Sequence, residues 1–418
     1  MRPNVSTGSV SIAIYALALI QKAFRETFSG SIWFSAMAFS LCLSCIWMGK
    51  QIGNGIGRGF GTTFAIASAG LAASLMPYTA PFIGSFYGEA IFIVTFPAVV
   101  GFFVAGRKMT NVALLMMLLV VTACATAKAQ IFYLPALMLV LRILFGLFCY
   151  LTMPHKRYFG ILVASQILSL LPVLAGDYQQ VNSHNSKYMG AYLATTPDEL
   201  REMAIDPLDM ACIGSDYWGN RIDFLKDTNP SSGAPCRSVN ETMSLEIARI
   251  YINNPALLFR IVATAVPVHG TVDYFHLSKD NLYEQRTESS RPGIFLEGIS
   301  AIRKRAISGL GIVWIPCVLA TLSLCILPRS VSAMLVFFLA IVVSQIAVVV
   351  VGEGVRDLSK HLLIAQYSVD IGVAVFICAL VAFFFRSAWG ANPRCRTRPP
   401  ERRALRNPQN GRVNTIDV

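Results

Sequence analysis

Charge is scarce in this chain. Asp, Glu, Lys and Arg make up 14% of its 418 residues, where a soluble domain carries about 25%. With 55% hydrophobic residues and a mean hydropathy of +0.56, the deficit indicates an all-α polytopic membrane protein. The usual marks of soluble chemistry are missing too. No phosphate-binding loop, nucleophile elbow or dinucleotide fingerprint occurs, which argues against an ATP-driven pump or a cytosolic-type hydrolase. No two histidines share a helical face at zinc-binding spacing. A disulfide scaffold is also absent. Of the ten cysteines, Cys42, Cys45, Cys124, Cys149, Cys317, Cys325 and Cys378 lie in apolar runs, where cysteine behaves as a small hydrophobe. Cys42 and Cys45 have redox-pair spacing but no strand–helix context. Only Cys212 and Cys236 fall in the long polar segment. A bridge between them would contribute roughly 3 kcal/mol in an oxidising compartment.

The positive charge that is present is uneven. The net charge is +12, and Arg386, Arg394, Arg396, Arg398, Arg402, Arg403, Arg406 and Arg412 crowd the end of the chain. Arginines just beyond a span read as a cytoplasmic anchor rather than a nucleic-acid surface. Apolar runs predict spans over Ser31–Met48, Phe60–Met76, Ala90–Ala105, Val112–Ala127, Phe132–Met153 and Tyr158–Ala175, then Ile307–Leu327, Ala333–Val351 and Leu362–Phe385. Val10–Phe24 fits either a first span or a helix in the interface, so the total is nine or ten. The expected organisation is a membrane bundle at 10–175, an extracytoplasmic α-rich domain at 176–305, further spans at 306–385 and a disordered basic tail at 386–418. Within the polar domain, Glu241–Val268 has helical periodicity broken at Pro255.

Placing the tail in the cytoplasm puts the turns holding Arg329, His155-Lys156-Arg157, Arg107-Lys108 and Lys50–Arg58 inside as well. Arg303-Lys304-Arg305 falls outside, where long translocated domains largely escape the rule. The outer face then collects Ser85–Glu89, Lys128–Gln130, the polar domain and Gly352–His361.

That last stretch is the densest. Glu353, Asp357, Lys360 and His361 lie between two long apolar runs. Carboxylates there suit a divalent cation or a sugar hydroxyl, and Lys360 and His361 suit a phosphate. The alternative is helix capping by Asp357 and snorkelling by Lys360. Glu89 follows Phe86 and Tyr87 into a span; it fits a sugar or metal ligand as well as a helix N-terminal charge. Arg142 lies mid-span, where a charge needs a partner or a polar cavity. Lys128 and Gln130 flank an outward turn.

In order, Ser85-Phe86-Tyr87-Gly88-Glu89, Lys128-Ala129-Gln130 and Gly352-Glu353-Gly354-x-x-Asp357-Leu358-x-Lys360-His361 resemble bacterial polytopic hexose transferases of the GT-C architecture. Tyr188-Met189-Gly190-Ala191-Tyr192 and Thr196-Pro197-Asp198-Glu199-Leu200 resemble the start of that family's extracytoplasmic domain. The resemblance implies an enzyme of the bacterial inner membrane. It would take a sugar from a polyprenyl-phosphate donor and pass it, on the outer face, to a cell-surface glycan or lipid. It implies Glu89, Glu353 and Asp357 as catalytic residues. Lys128, Gln130, Arg142, Lys360 and His361 would bind the donor phosphate, with Mg or Mn as an expected divalent cation. The implied partners are the lipid-linked donor, the acceptor and the bilayer, with no nucleic acid. The family's acidic loop after an initial span has no counterpart, since the only acid near the start is Glu26; the expectation is a chain lacking that span and loop. A carrier or flippase, or a polymerase or ligase, for lipid-linked glycans is the alternative.

Overall fold

The computed structural model describes residues 30–56, 61–68, 70, 88–105, 109–148, 150–174, 179–202, 207–215, 244–269, 294–308, 311–355 and 358–390. Every regular element among them is helical, as hydrocarbon requires of a chain that must satisfy its own backbone polar groups. In order they are α1 (Gly30–Ile56), α2 (Gly88–Val104), α3 (Asn111–Thr126), α4 (Leu134–Leu147) and α5 (Lys156–Leu174). Then come α6 (Gln179–Ser186), a π turn (Lys187–Ala191), α7 (Pro197–Glu202), α8 (Pro207–Cys212), α9 (Ser244–Asn253) and α10 (Pro255–His269). Last are α11 (Ile294–Ile307), α12 (Gly311–Ile326), α13 (Arg329–Glu353), α14 (Leu358–His361) and α15 (Leu363–Gly390). Among the described residues, five helices are long and apolar enough to cross a membrane: Ser31–Asn54, Ala129–Leu147, Lys156–Leu174, Arg329–Gly352 and Leu363–Phe384. The bent pair Ala301–Ile307 and Gly311–Ile326 makes a sixth if counted as one, and α2 and α3 are shorter apolar helices of 17 and 16 residues. The protein is an all-α polytopic membrane protein.

α13 is the axis of the fold. It packs against α1, α2, α4, α6, α9, α10, α12, α14 and α15. Its two halves serve different cores. Phe337 stacks on Phe103 of α2 at 4.3 Å, and Phe338 meets Phe96 edge-on at 5.9 Å, geometries worth about 0.5–1.5 kcal/mol each beyond area burial. Val342, Ile346, Val349 and Val350 instead meet Tyr188, Tyr251, Leu257 and Ile261. The helices α9 and α10 therefore pack on the C-terminal half of α13. Tyr367 on α15 donates to the Ile93 carbonyl of α2 at 3.0 Å, tying two helices across the bundle.

Several expected boundaries move, each for a packing reason. The Gly-rich stretch expected as a loop from Lys50 continues α1 to Ile56, because Ile52 and Ile56 are buried and tertiary contacts override weak propensity. α4 stops at Leu147 rather than Met153, since the N–H groups of Tyr150 and Leu151 both turn back to the Phe145 carbonyl. The break at Pro255 is present, with Asn254 between α9 and α10 and proline as the first residue of the new helix. Residues 10–24, Cys236, Asp357 and 391–418 lie outside the described residues.

Candidate functional site

Glu89 stands in the first turn of α2, where the helix dipole favours an anion. The turn between α3 and α4 brings Lys128 to it, with Nζ 2.9 Å from Oε1. Both side chains are largely enclosed, with 6% of Glu89 and 18% of Lys128 exposed. Two residues on, Gln130 is buried in the short 3-10 turn Ala129–Ile131. Its Nε2 lies 2.9 Å from Nδ1 of His361 on α14. From Gln130 the polar contacts run down into the bundle. Gln345 of α13 donates through Nε2 to the Gln130 carbonyl at 3.0 Å and to the Tyr133 hydroxyl at 2.8 Å. The Tyr133 hydroxyl in turn lies 2.7 Å from Ser344 Oγ.

The stretch 352–361 is anchored from the other side by the π turn. Ser186 Oγ donates to the Val351 carbonyl, and the Val355 N–H donates to the Met189 carbonyl at 3.0 Å. Gly354 sits between them at φ +65°, a left-handed conformation that favours glycine. A Cβ there would overlap the Met189 carbonyl and the Gly190 nitrogen. The end of α13 and the π turn thus meet backbone to backbone. Glu353 closes α13 and Lys360 lies in α14.

Of the expected site residues, the structure brings together Glu89 with Lys128 and Gln130 with His361. Arg142 does not join them. It is fully buried and donates through Nη2 to the carbonyls of Ala105 at 2.8 Å and Thr152 at 3.1 Å. Its guanidinium carbon lies 5.6 Å from the Tyr158 ring centroid. Ala105 follows the far end of α2, about 24 Å from Glu89 at 1.5 Å per residue. Arg142 ties the end of α2 to the segment that follows α4, at the opposite end of α2 from Glu89. Cys212 is buried and disulfide-bonded; Cys236, its expected partner, lies outside the described residues.

Residues 7–398 match the family model of the YfdI N-terminal transmembrane domain. The chain belongs to that family. It is also 24% identical over 307 residues to the uncharacterized protein YfdI of Escherichia coli strain K12. The match covers 71% of this chain and 64% of that relative, so the chain spans less than two-thirds of the relative's length.

Within this YfdI-type domain, three polar features escape a reading by hydropathy. Ser183, His184, Asn185, Ser186 and Lys187 are consecutive and all buried, which no amphipathic pattern signals. Lys187 Nζ lies 5.2 and 5.4 Å from the ring centroids of Tyr188 and Tyr192, and the His184 ring is 4.6 Å from Tyr188. Gln345 is hidden in a continuous apolar run. Asp370 sits two turns inside α15, where Arg303 donates through Nε to both carboxylate oxygens at 2.9 and 3.0 Å and through Nη2 to Gln366 at 3.2 Å. A charge at that depth was the available signal.

Proposed function

We propose that this domain is a GT-C-like membrane glycosyltransferase. It moves a hexose from a polyprenyl-phosphate donor to a cell-surface glycan or lipid acceptor at the outer face of the bacterial inner membrane. The observation that carries the reading is the hydrogen bond between Gln130 and His361, 231 residues apart. It joins two polar turns at one end of an apolar bundle, next to the Glu89–Lys128 pair and the Gly354 contact. Polar groups at a membrane boundary have a desolvation cost that a bare linker would avoid.

The geometry refines the roles. Lys128 is engaged by Glu89, so the pair holds the α2 and α3 ends together rather than meeting the donor phosphate. His361 and Lys360 meet the oxygens of the donor phosphate, with Lys360 supplying the cation. Asp357 takes the proton from the acceptor hydroxyl as that oxygen bonds to the anomeric carbon. The bond to the donor oxygen breaks, and polyprenyl phosphate leaves with its electron pair. A divalent cation enters this proposal only through Glu353 and Asp357. Among the described residues no group of three His, Cys, Asp or Glu comes together to hold one, and the transfer balances without it.

The test is transfer of labelled hexose from a polyprenyl-phosphate donor by the full chain in proteoliposomes. Asp357→Asn is expected to abolish transfer while leaving membrane insertion intact. Retained transfer would remove Asp357 from the site, and no transfer by the wild type with any donor hexose would remove the enzyme reading.

A further inference from the structure

We propose that α11 lies along the membrane surface and that its Lys304 and Arg305 bind the phosphate of an anionic phospholipid headgroup. This inference does not depend on transfer activity. Three neighbouring cations on this helix have different fates. Arg303 turns inward to Asp370 and Gln366. Lys304 and Arg305 are exposed, and neither side chain is engaged by another described residue. The inward ion pair fixes the rotation of the helix. Ile307, four residues after Arg303 and so on the same face, is 3% exposed. Ile302, on the outward side with Arg305, is 70% exposed. An exposed isoleucine beside two exposed cations is the composition of a helix in the bilayer interface, with its apolar side chain among acyl chains and its cations at phosphate level.

The geometry around the bend points the same way. The helix axis turns by 84° between Ala301–Ile307 and Gly311–Ile326. If α12 crosses the bilayer, a helix nearly perpendicular to it runs nearly parallel to the surface. Across the bend the Gly311 N–H donates to the Ser308 carbonyl at 3.3 Å. Gly311 allows the close approach, since a Cβ there would overlap the Ala306 carbonyl. One turn on, Trp314 is 63% exposed. A tryptophan at the end of a span, facing out, belongs to the aromatic belt at headgroup depth. Trp314 therefore marks the interface independently of the charges, and Lys304 and Arg305 sit at that level. Their charge complements a phosphate, and their exposed, unengaged heads suit a ligand that arrives laterally.

Near an anionic surface each basic side chain is worth about fivefold in lipid partitioning. The full chain in nanodiscs of mixed phosphatidylcholine and phosphatidylglycerol, examined by native mass spectrometry, should retain phosphatidylglycerol preferentially. The double variant Lys304→Gln with Arg305→Gln should lose roughly 25-fold of that preference with an unchanged melting temperature, since neither side chain holds the fold. Inorganic phosphate at millimolar concentration should not displace the lipid. Equal retention of the two lipids by the wild type, or an unchanged preference in the double variant, would overturn the proposal. Displacement by inorganic phosphate would overturn it as well, by assigning a site for a soluble anion.

Discussion

A buried carboxylate and ammonium are worth more as a unit than either is alone, because removing one leaves the other desolvated and unpaired. The cost of such a break is about 3–5 kcal/mol, whereas replacing both partners together is close to neutral. Glu89 and Lys128 are enclosed enough for this asymmetry to hold. Lys128→Gln alone and Glu89→Gln alone are each expected to lower the melting temperature of the detergent-solubilised protein strongly. The double variant Glu89→Gln with Lys128→Gln should recover to within about 1 kcal/mol of the wild type. Additive losses in the double variant would show that the two residues act separately, and Lys128 would return to the phosphate-binding group. Arg142 has the same enclosure without a described carboxylate. Its partners are two carbonyls and a ring, contacts that a sequence cannot reveal because Ala105 and Thr152 contribute only backbone.

At the scale of elements, the contact between α13 and the π turn depends on one glycine. Gly352 and Gly354 look alike in the sequence, two residues apart in a polar stretch. Gly354 has a positive φ and no room for a side chain, whereas a Cβ on Gly352 would meet nothing within 4 Å. Gly354→Ala is expected to cost about 1–3 kcal/mol and to free the stretch 352–361 from the π turn. Gly352→Ala, at a helical position, should be neutral or stabilising by up to about 1 kcal/mol. Equal melting temperatures for the two variants would remove Gly354 from its structural role. A second junction is set by charge. Thr196 and Glu199 form a reciprocal cap on α7, with the Thr196 N–H donating to Glu199 Oε2 at 2.8 Å and the Glu199 N–H donating to Thr196 Oγ1 at 3.3 Å. Arg260 of α10 grips the same carboxylate at 2.7 and 3.0 Å. The Arg260 bonds, followed by those from Thr196, hold the Glu199 carboxyl down at about 2, from an ordinary 4.5. A depressed folded-state value means that the link is fully present above about pH 4.5 and is lost as pH falls towards 2. Amide exchange over Pro197–Glu202, corrected for intrinsic rates, should accelerate across that window in the wild type. In Glu199→Gln it should already be fast at pH 6 and stay flat.

The membrane class of the whole molecule and most of its helices were legible because hydrocarbon imposes one length and one composition on a span. Glu89, Lys128, Gln130 and His361 were expected near one another, and the Lys128–Glu89 and Gln130–His361 contacts join them in pairs. What stayed hidden was set by contacts between segments far apart in sequence. Lys187 becomes a buried cation only once α6 docks on α13, and the extent of α1 past Lys50 depends on neighbours that cover Ile52 and Ile56. The sharpest case is Arg303-Lys304-Arg305, a basic cluster whose three side chains look alike in the sequence. Arg303 is answered by Asp370, a charge concealed inside an apolar run, and the pair ties α11 to α15 across 67 residues. With 14% and 17% of their side chains exposed, the two form a largely enclosed pair. Breaking either half should cost about 3–5 kcal/mol. Arg303→Gln and Asp370→Asn are therefore expected each to lower the melting temperature, and the exchange Arg303→Asp with Asp370→Arg to restore a substantial part of it. Rescue would show that the pair, and not either residue's packing, fixes α11 against the bundle. An exchange variant no more stable than the worse single variant would assign the contact to shape alone. The rotation of α11 that turns Lys304 and Arg305 outward would then have to come from Ile307.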